Sequence, residues 1–276
     1  MAFSITAYAS FDEGHEKLEK ETYETEYTKA LTALLALAEQ GDANLQFNLG
    51  IMYYKGEAVP QDYAQALSWF RKAAEQGIVD AQFNCGLMYY NGQGVTQDYA
   101  QALNWYRKAA EQGNANAQLH LGVMYANGQG VPQDYTQALS WLRKSAEQGI
   151  VDAQFNLGLM YYNGQGAPQD YTQALSWYRK AAEQGNANAQ YNLGIMHYDG
   201  QGTARNLVLA HLLFNLAAVS GDENATKNRT LTATQLSSAQ LIEAQSLASG
   251  WKTNTPLPTK SKTWSSSAKP AKPVKK

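Results

Sequence analysis

The side chains best suited to covalent or metal chemistry are few in this chain and badly spaced for it. His15, His120, His197 and His211 lie far apart, without the short ligand spacings of a metal site. Cys85 is the only cysteine, which excludes an intramolecular disulfide framework. No P-loop, dinucleotide-binding fingerprint or Ser/His/Asp arrangement is readable, so no catalytic, cofactor-binding or metal-binding residues are expected. What recurs instead are groups that recognise. Asn48, Asn84, Asn156 and Asn192, with His120 in the same register, stand 36 residues apart. An amide carries both a donor and an acceptor, and a row of amides can hold a peptide backbone.

Three apolar positions accompany each amide. The first is Phe47, Phe83, Leu119, Phe155 and Tyr191; the second is Ile51, Leu87, Val123, Leu159 and Ile195; the third is Tyr54, Tyr90, Ala126, Tyr162 and Tyr198. At 100° per residue these positions cluster on one side of a helix, opposite its core stripe. Two readings stand. The row either packs between adjacent repeats, or it forms an aromatic groove for an extended or helical peptide. The candidate partner-binding set is these positions, Ala126 excepted, together with Asn84, Asn91, His120, Asn156 and Asn192. In the same way, the amide row is either a recognition row or a set of structural bonds to a neighbouring helix.

The elements that would position this set follow from the same period. Asp62-Tyr63, Asp98-Tyr99, Asp134-Tyr135 and Asp170-Tyr171 recur every 36 residues, as do Trp69, Trp105, Trp141 and Trp177. Each Asp precedes a Gln by three residues, a capping-box pattern. From Tyr63 the apolar positions Ala66, Leu67, Phe70, Ala73 and Ala74 form one 3.6-period stripe, which leaves Arg71, Lys72 and Glu75 for water. Gly77 ends this helix, and a second is expected over 79–91, with Ala81, Cys85, Met88 and Tyr89 as its core face. The tryptophans are expected to pack in the core or between repeats. No segment alternates like a strand. The sequence therefore predicts an all-α solenoid of stacked antiparallel helix pairs, in which each unit buries its apolar face only against its neighbours.

The ends depart from the pattern. Residues 1–10 read as a disordered start or the remnant of a leader, and 11–41 as capping helices, the first near 11–21. The repeat array takes 42–221. Residues 222–251 hold closing helices, of which 237–251 is an amphipathic seal, and 252–276 is a Lys/Pro/Ser-rich tail expected to be disordered. That tail carries a formal charge of +7, against −9 for the remainder. Its charge suits nucleic acid or an anionic membrane, although a solubilising extension is the simpler reading. No apolar run reaches the roughly 18–20 residues of a membrane span.

The unit Ala153, Leu157-Gly158, Tyr161, Gly164, Gly166, Asp170, Ala174, Trp177, Ala181-Ala182, Gly185 resembles the Sel-like repeat, a branch of the tetratricopeptide-like α-solenoids. The resemblance runs over about 40–221, and the segment from Arg229 to Trp251 is similar to the closing helices of bacterial members. It implies a right-handed superhelix with the Ala-x-x-x-Leu-Gly helix on the concave wall, and an adaptor or scaffold role in a bacterial protein. The partner expected is a protein or peptide, with the chain itself a monomer. The alternative weighed against this is a hydrolase acting on a cell-wall-type substrate. The compartment stays open: periplasmic or secreted if a leader has been removed, cytoplasmic otherwise. Leu45, Ala58 and Leu213 depart from the family pattern, which marks the edge units as adapted to being ends.

Overall fold

The computed structural model describes residues 29–259. The expected helix at 11–21 and the disordered start or leader remnant expected at 1–10 lie outside them, as does the tail beyond 259. Among the described residues the chain is all helix and turn, with no strand. A helical segment at 29–39, here α1, leads into α2 (Ala43–Lys55) and α3 (Tyr63–Glu75), then α4 (Val79–Asn91) and α5 (Tyr99–Glu111). The alternation continues through α6 (Ala115–Asn127), α7 (Tyr135–Glu147), α8 (Val151–Asn163), α9 (Tyr171–Glu183) and α10 (Ala187–Asp199). The closing elements are α11 (Leu207–Ala218), α12 (Glu223–Ala233) and α13 (Ser238–Gly250). Consecutive helices pack on one another, giving an all-α solenoid of 36-residue units. Two compact units divide inside α5, the first ending at Trp105 and the second beginning at Tyr106.

The helix starts are chemically explicit. Asp62, Asp134 and Asp170 accept from the backbone N–H three residues on, which satisfies a donor that the helix leaves orphaned. A full reciprocal capping box forms at Ser237/Gln240 on α13. Glycines in the left-handed conformation close α2, α4, α6, α8 and α10.

In the first unit, Ala66, Phe70, Ala73 and Ala74 of α3 meet Ala81, Cys85 and Met88 of α4. In the second, α7 to α11 and α13 contribute to one core that includes Leu142, Leu157, Trp177, Tyr178 and Leu213. The Leu-Gly dipeptide has a steric reason here. A Cβ at Gly158 would lie 2.7 Å from the Tyr178 ring, so a hydrogen at this position lets α8 and α9 approach closely.

Within each compact unit, a row of buried glutamines joins successive repeats. Gln154 is 5% exposed; its Nε2 donates to the Ala146 carbonyl (3.2 Å), and its Oε1 accepts from Gln184 Nε2 (2.8 Å). Gln118 repeats this with Ala110 and Gln148, and Gln46 with Ala38 and Gln76. Gln154→Met keeps the volume but leaves buried polar partners unpaired. Its expected cost is about 1–3 kcal/mol, read from urea unfolding followed by circular dichroism.

Packing adds to one expectation and overturns another. Arg71, Lys72 and Glu75 are exposed as expected, and the Lys72 and Lys180 ammonium groups also sit 3.9 Å from the centroids of Trp69 and Trp177. The lysine stem covers the ring and the charge faces its π-cloud. Residues 252–259, assigned by composition to a disordered tail, instead return to α9. Leu257 is 1% exposed there, and Asn254 N–H donates to the Glu183 carbonyl. One buried leucine together with backbone bonds outweighs a composition that is otherwise loop-like.

Candidate functional site

The candidate residues sit where the helical register places them, but at unequal depth. Phe47, Ile51, Tyr54, Phe83, Asn84, Leu87 and Tyr90 of the first compact unit are half-buried, and Asn91 is exposed. In the second, Leu119, His120, Val123, Phe155, Asn156, Leu159, Tyr162 and Asn192 are half-buried, whereas Tyr191, Ile195 and Tyr198 are buried.

Much of this exposure is shared with packing. Phe47 leans on Phe70, Phe155 on Tyr178 and Tyr191 on Phe214, at ring-centroid distances of 5.8, 5.8 and 5.9 Å. The third position packs against the tyrosine that opens the next helix, Tyr54 edge-on to Tyr63, and Tyr90 on Tyr99 and Tyr162 on Tyr171 with tilted rings. Tyr54 and Tyr162 also donate their hydroxyls to Gln93 and Gln201. The half-buried rings of Phe47, Tyr54, Tyr90, Phe155 and Tyr162 are thus partly packed and partly exposed, whereas Tyr191 and Tyr198 are buried.

The amides divide in the same way. Asn192 hydrogen-bonds the Tyr178 hydroxyl, and Asn84 donates back to the Asp80 carbonyl within its own helix. His120 stacks on Tyr106 with centroids 4.9 Å apart and planes within 6°, and its burial lowers its pKa. Of these three, Asn192 bonds a neighbouring helix, Asn84 bonds within its own and His120 is held by stacking.

At the end of the array, α12 covers the row. Asn228 donates to the Tyr191 hydroxyl (3.2 Å), and Gln235 Nε2 donates to that of Tyr198 (2.5 Å). Arg205 reaches over the Tyr198 ring and bonds the same Gln235. Tyr198 therefore belongs to the seal of the array and not to an open wall.

One cavity of about 390 Å³ opens on this face in the second compact unit. Phe155, Leu159, Tyr162 and Asn163 of α8 form one side of it, and Asn188, Tyr191, Asn192 and Ile195 of α10 the other. Tyr178 of α9 is the floor. Burial pushes the Tyr178 phenol well above its usual pKa, against the opposing pull of the Asn192 hydrogen bond, so it stays a neutral hydroxyl at physiological pH. The Tyr191 phenol is raised by burial and by the Asp222 carboxylate. The lining is rigid aromatic surface with an amide edge, which suits apolar side chains flanked by a peptide backbone. Sequence reasoning missed Asn163, Tyr178 and Asn188. Asn163 shares the register of Asn91, a signal that was present but read in one unit only; Tyr178 was assigned to the core stripe, and it serves both.

The fold defines a helical-repeat protein of stacked helices with a 36-residue period. Residues 43–78, 79–114, 115–150, 151–186 and 187–222 match the Sel1 repeat, and the chain belongs to the Sel1 repeat family, generally protein–protein interaction scaffolds. Each matched unit begins with the helix that carries the Leu-Gly pair, Cys85-Gly86 in α4, so the pairs are α2–α3, α4–α5, α6–α7, α8–α9 and α10–α11.

Among solved structures it is similar to c5321, a protective antigen present in uropathogenic Escherichia coli strains that displays an SLR fold. The two share 37% identity and a TM-score of 0.73, over 80% of this chain and 48% of that one. The chain thus spans about half the length of that antigen. It is also similar to a Sel1 repeat protein from Oxalobacter formigenes, with 32% identity and a TM-score of 0.69, over 83% of this chain and 96% of that one. Among curated proteins none matches.

Proposed function

We propose that this protein is a non-enzymatic interaction scaffold that takes a peptide or protein segment across the face formed by α8 and α10. The observation carrying this reading is the cavity of about 390 Å³ between those helices, lined by half-buried Phe155, Leu159 and Tyr162 with amides at its edge. Rings already held by Tyr178 and Tyr171 lose little further freedom on binding, and such preorganised aromatic pockets are where binding energy concentrates. The family's general role supports the same reading. The resemblance that puts the Leu-Gly helices on the concave wall would place this cavity there.

The test exploits Leu159, whose half-buried side chain points into the cavity region without a hydrogen bond to lose. Affinity purification with the intact chain as bait is compared with the Leu159→Asp variant. A charge facing an apolar pocket should weaken partner recovery by about 10- to 100-fold, with helical circular dichroism unchanged. Recovery of the same partners in equal amounts by both baits would refute this face as the docking surface.

A further inference from the structure

The return of residues 252–259 onto α9 shows how the second helix of a matched pair can read a peptide. The two backbone groups of Leu257 are held by one i,i+4 side-chain pair. The Leu257 N–H donates to Glu183 Oε1 (2.9 Å), and the Leu257 carbonyl accepts from Arg179 Nη1 (3.4 Å). The Arg179 and Glu183 charges lie 3.8 Å apart and are themselves largely covered. The leucine side chain is buried, and Asn254 N–H caps the exposed end of α9 at the Glu183 carbonyl (2.7 Å). An Arg four residues before a Glu therefore supplies one donor and one acceptor at the spacing of a single residue's backbone.

That pair is part of the repeat, at Arg71/Glu75, Arg107/Glu111 and Arg143/Glu147. In two of these the arginine has another partner, since Arg107 donates to the Tyr125 hydroxyl and Arg143 to that of Tyr161. His197 occupies the tyrosine register beside Arg179, which leaves that guanidinium to the Leu257 carbonyl. On α3 the pair lies open. Arg71 Nη2 and Glu75 Oε1 are 4.0 Å apart and more than half exposed, on the edge of a hollow of about 310 Å³. The hollow runs between two ridges of the helix, Ala64–Ser68–Lys72 and Leu67–Arg71–Glu75. Their counterparts on α9 are Thr172–Ser176–Lys180 and Leu175–Arg179–Glu183.

We infer that the Arg71/Glu75 face of α3 is a second peptide-docking site, open to an extended leucine-bearing segment supplied in trans and read as α9 reads Leu257 in cis. The partner chemistry is that of the observed occupant: an uncharged, extended stretch in which leucine is flanked by prolines, as in Pro256-Leu257-Pro258. Flanking prolines hold the backbone extended before binding and donate no N–H of their own, so the leucine presents the one donor–acceptor pair that the clamp matches.

A labelled peptide with the sequence of residues 253–259, blocked at both ends, is titrated into the intact chain, where the α9 clamp is already filled in cis. Saturable binding in about the 10 µM to 1 mM range is expected, as suits a short segment. The surface double variant Arg71→Ala/Glu75→Gln should weaken it by about tenfold or more, as should replacing the peptide's leucine by serine. Arg143→Ala/Glu147→Gln and Leu159→Asp should leave it unchanged. No saturable binding, or binding indifferent to Arg71→Ala/Glu75→Gln, would overturn the assignment. Loss on Leu159→Asp would move the peptide to the α8/α10 cavity. Binding that appears only when Leu257→Ser frees α9 would show exchange with the cis segment and would also refute an α3 site.

Discussion

Acidification from pH 7 to pH 4 is expected to remove up to about 3 kcal/mol of stability for each of two histidines at the C-terminal end of the array. His197 and His211 are 4% and 3% exposed. Neither His197 ring nitrogen has a hydrogen-bond partner, nor does Nδ1 of His211. Burial lowers both pKa values from 6.5 to about 4, helped by the Arg179 guanidinium beside His197 and by that of Arg229 beside His211. The folded rings therefore stay neutral where those of the unfolded chain already bind protons. Between pH 6.5 and about 4 the unfolded state takes up more protons, so stability is fully present above 6.5 and falls as pH falls through that window. Below about 4 this contribution stops changing.

The check is a difference between variants, which removes every acid effect they share. Register supplies the replacement at 211, where Leu67, Leu103, Leu139 and Leu175 stand in the other units. His211→Leu with His197→Gln should flatten the dependence of the unfolding midpoint on pH between 6.5 and 4. An unchanged slope would show that the histidines are not what couples this end of the fold to acid.

A large single-site loss of stability is expected at the turn glycine of the last matched pair. Gly202 has φ +68°, and a Cβ there would lie 2.6 Å from the Tyr171 carbonyl oxygen at the start of α9. The obstacle is backbone at a helix start, which cannot swing aside as a side-chain end can. Gly149 is the control, since it has φ +91° but open space around a Cβ. Gly149→Ala should cost about 1–2 kcal/mol, the strain of a left-handed L-residue alone. Gly202→Ala should exceed it by about 1–3 kcal/mol of overpacking. Ala58, in the same register, already holds φ 67°, so the conformation itself is tolerated and the difference isolates the contact. Equal unfolding midpoints for the two variants would mean that the turn gives way.

The period, the helix limits and the caps were legible in the sequence because their causes are local. Asp62 caps α3 with its own carboxylate, and the α4 limits at Val79–Asn91 follow from a 3.6-residue stripe and a terminal glycine. The candidate site was legible only as a direction. Helical register told which side chains share a face, so Phe155, Leu159 and Tyr162 were found. Depth was not legible, since it depends on what lies opposite. Tyr198 looks like Tyr162 in sequence, yet Gln235 and Arg205 bury it.

The sequence by itself therefore determined a 36-residue, all-α repeat and the helix face on which recognition would act. Those properties arise from contacts within one unit, or between units that repeat. Tertiary structure alone decided where that face is open, where α12 seals it, and that residues 252–259 fold back onto α9. Each of these joins segments far apart and outside the period, so no repetition announces them in the chain.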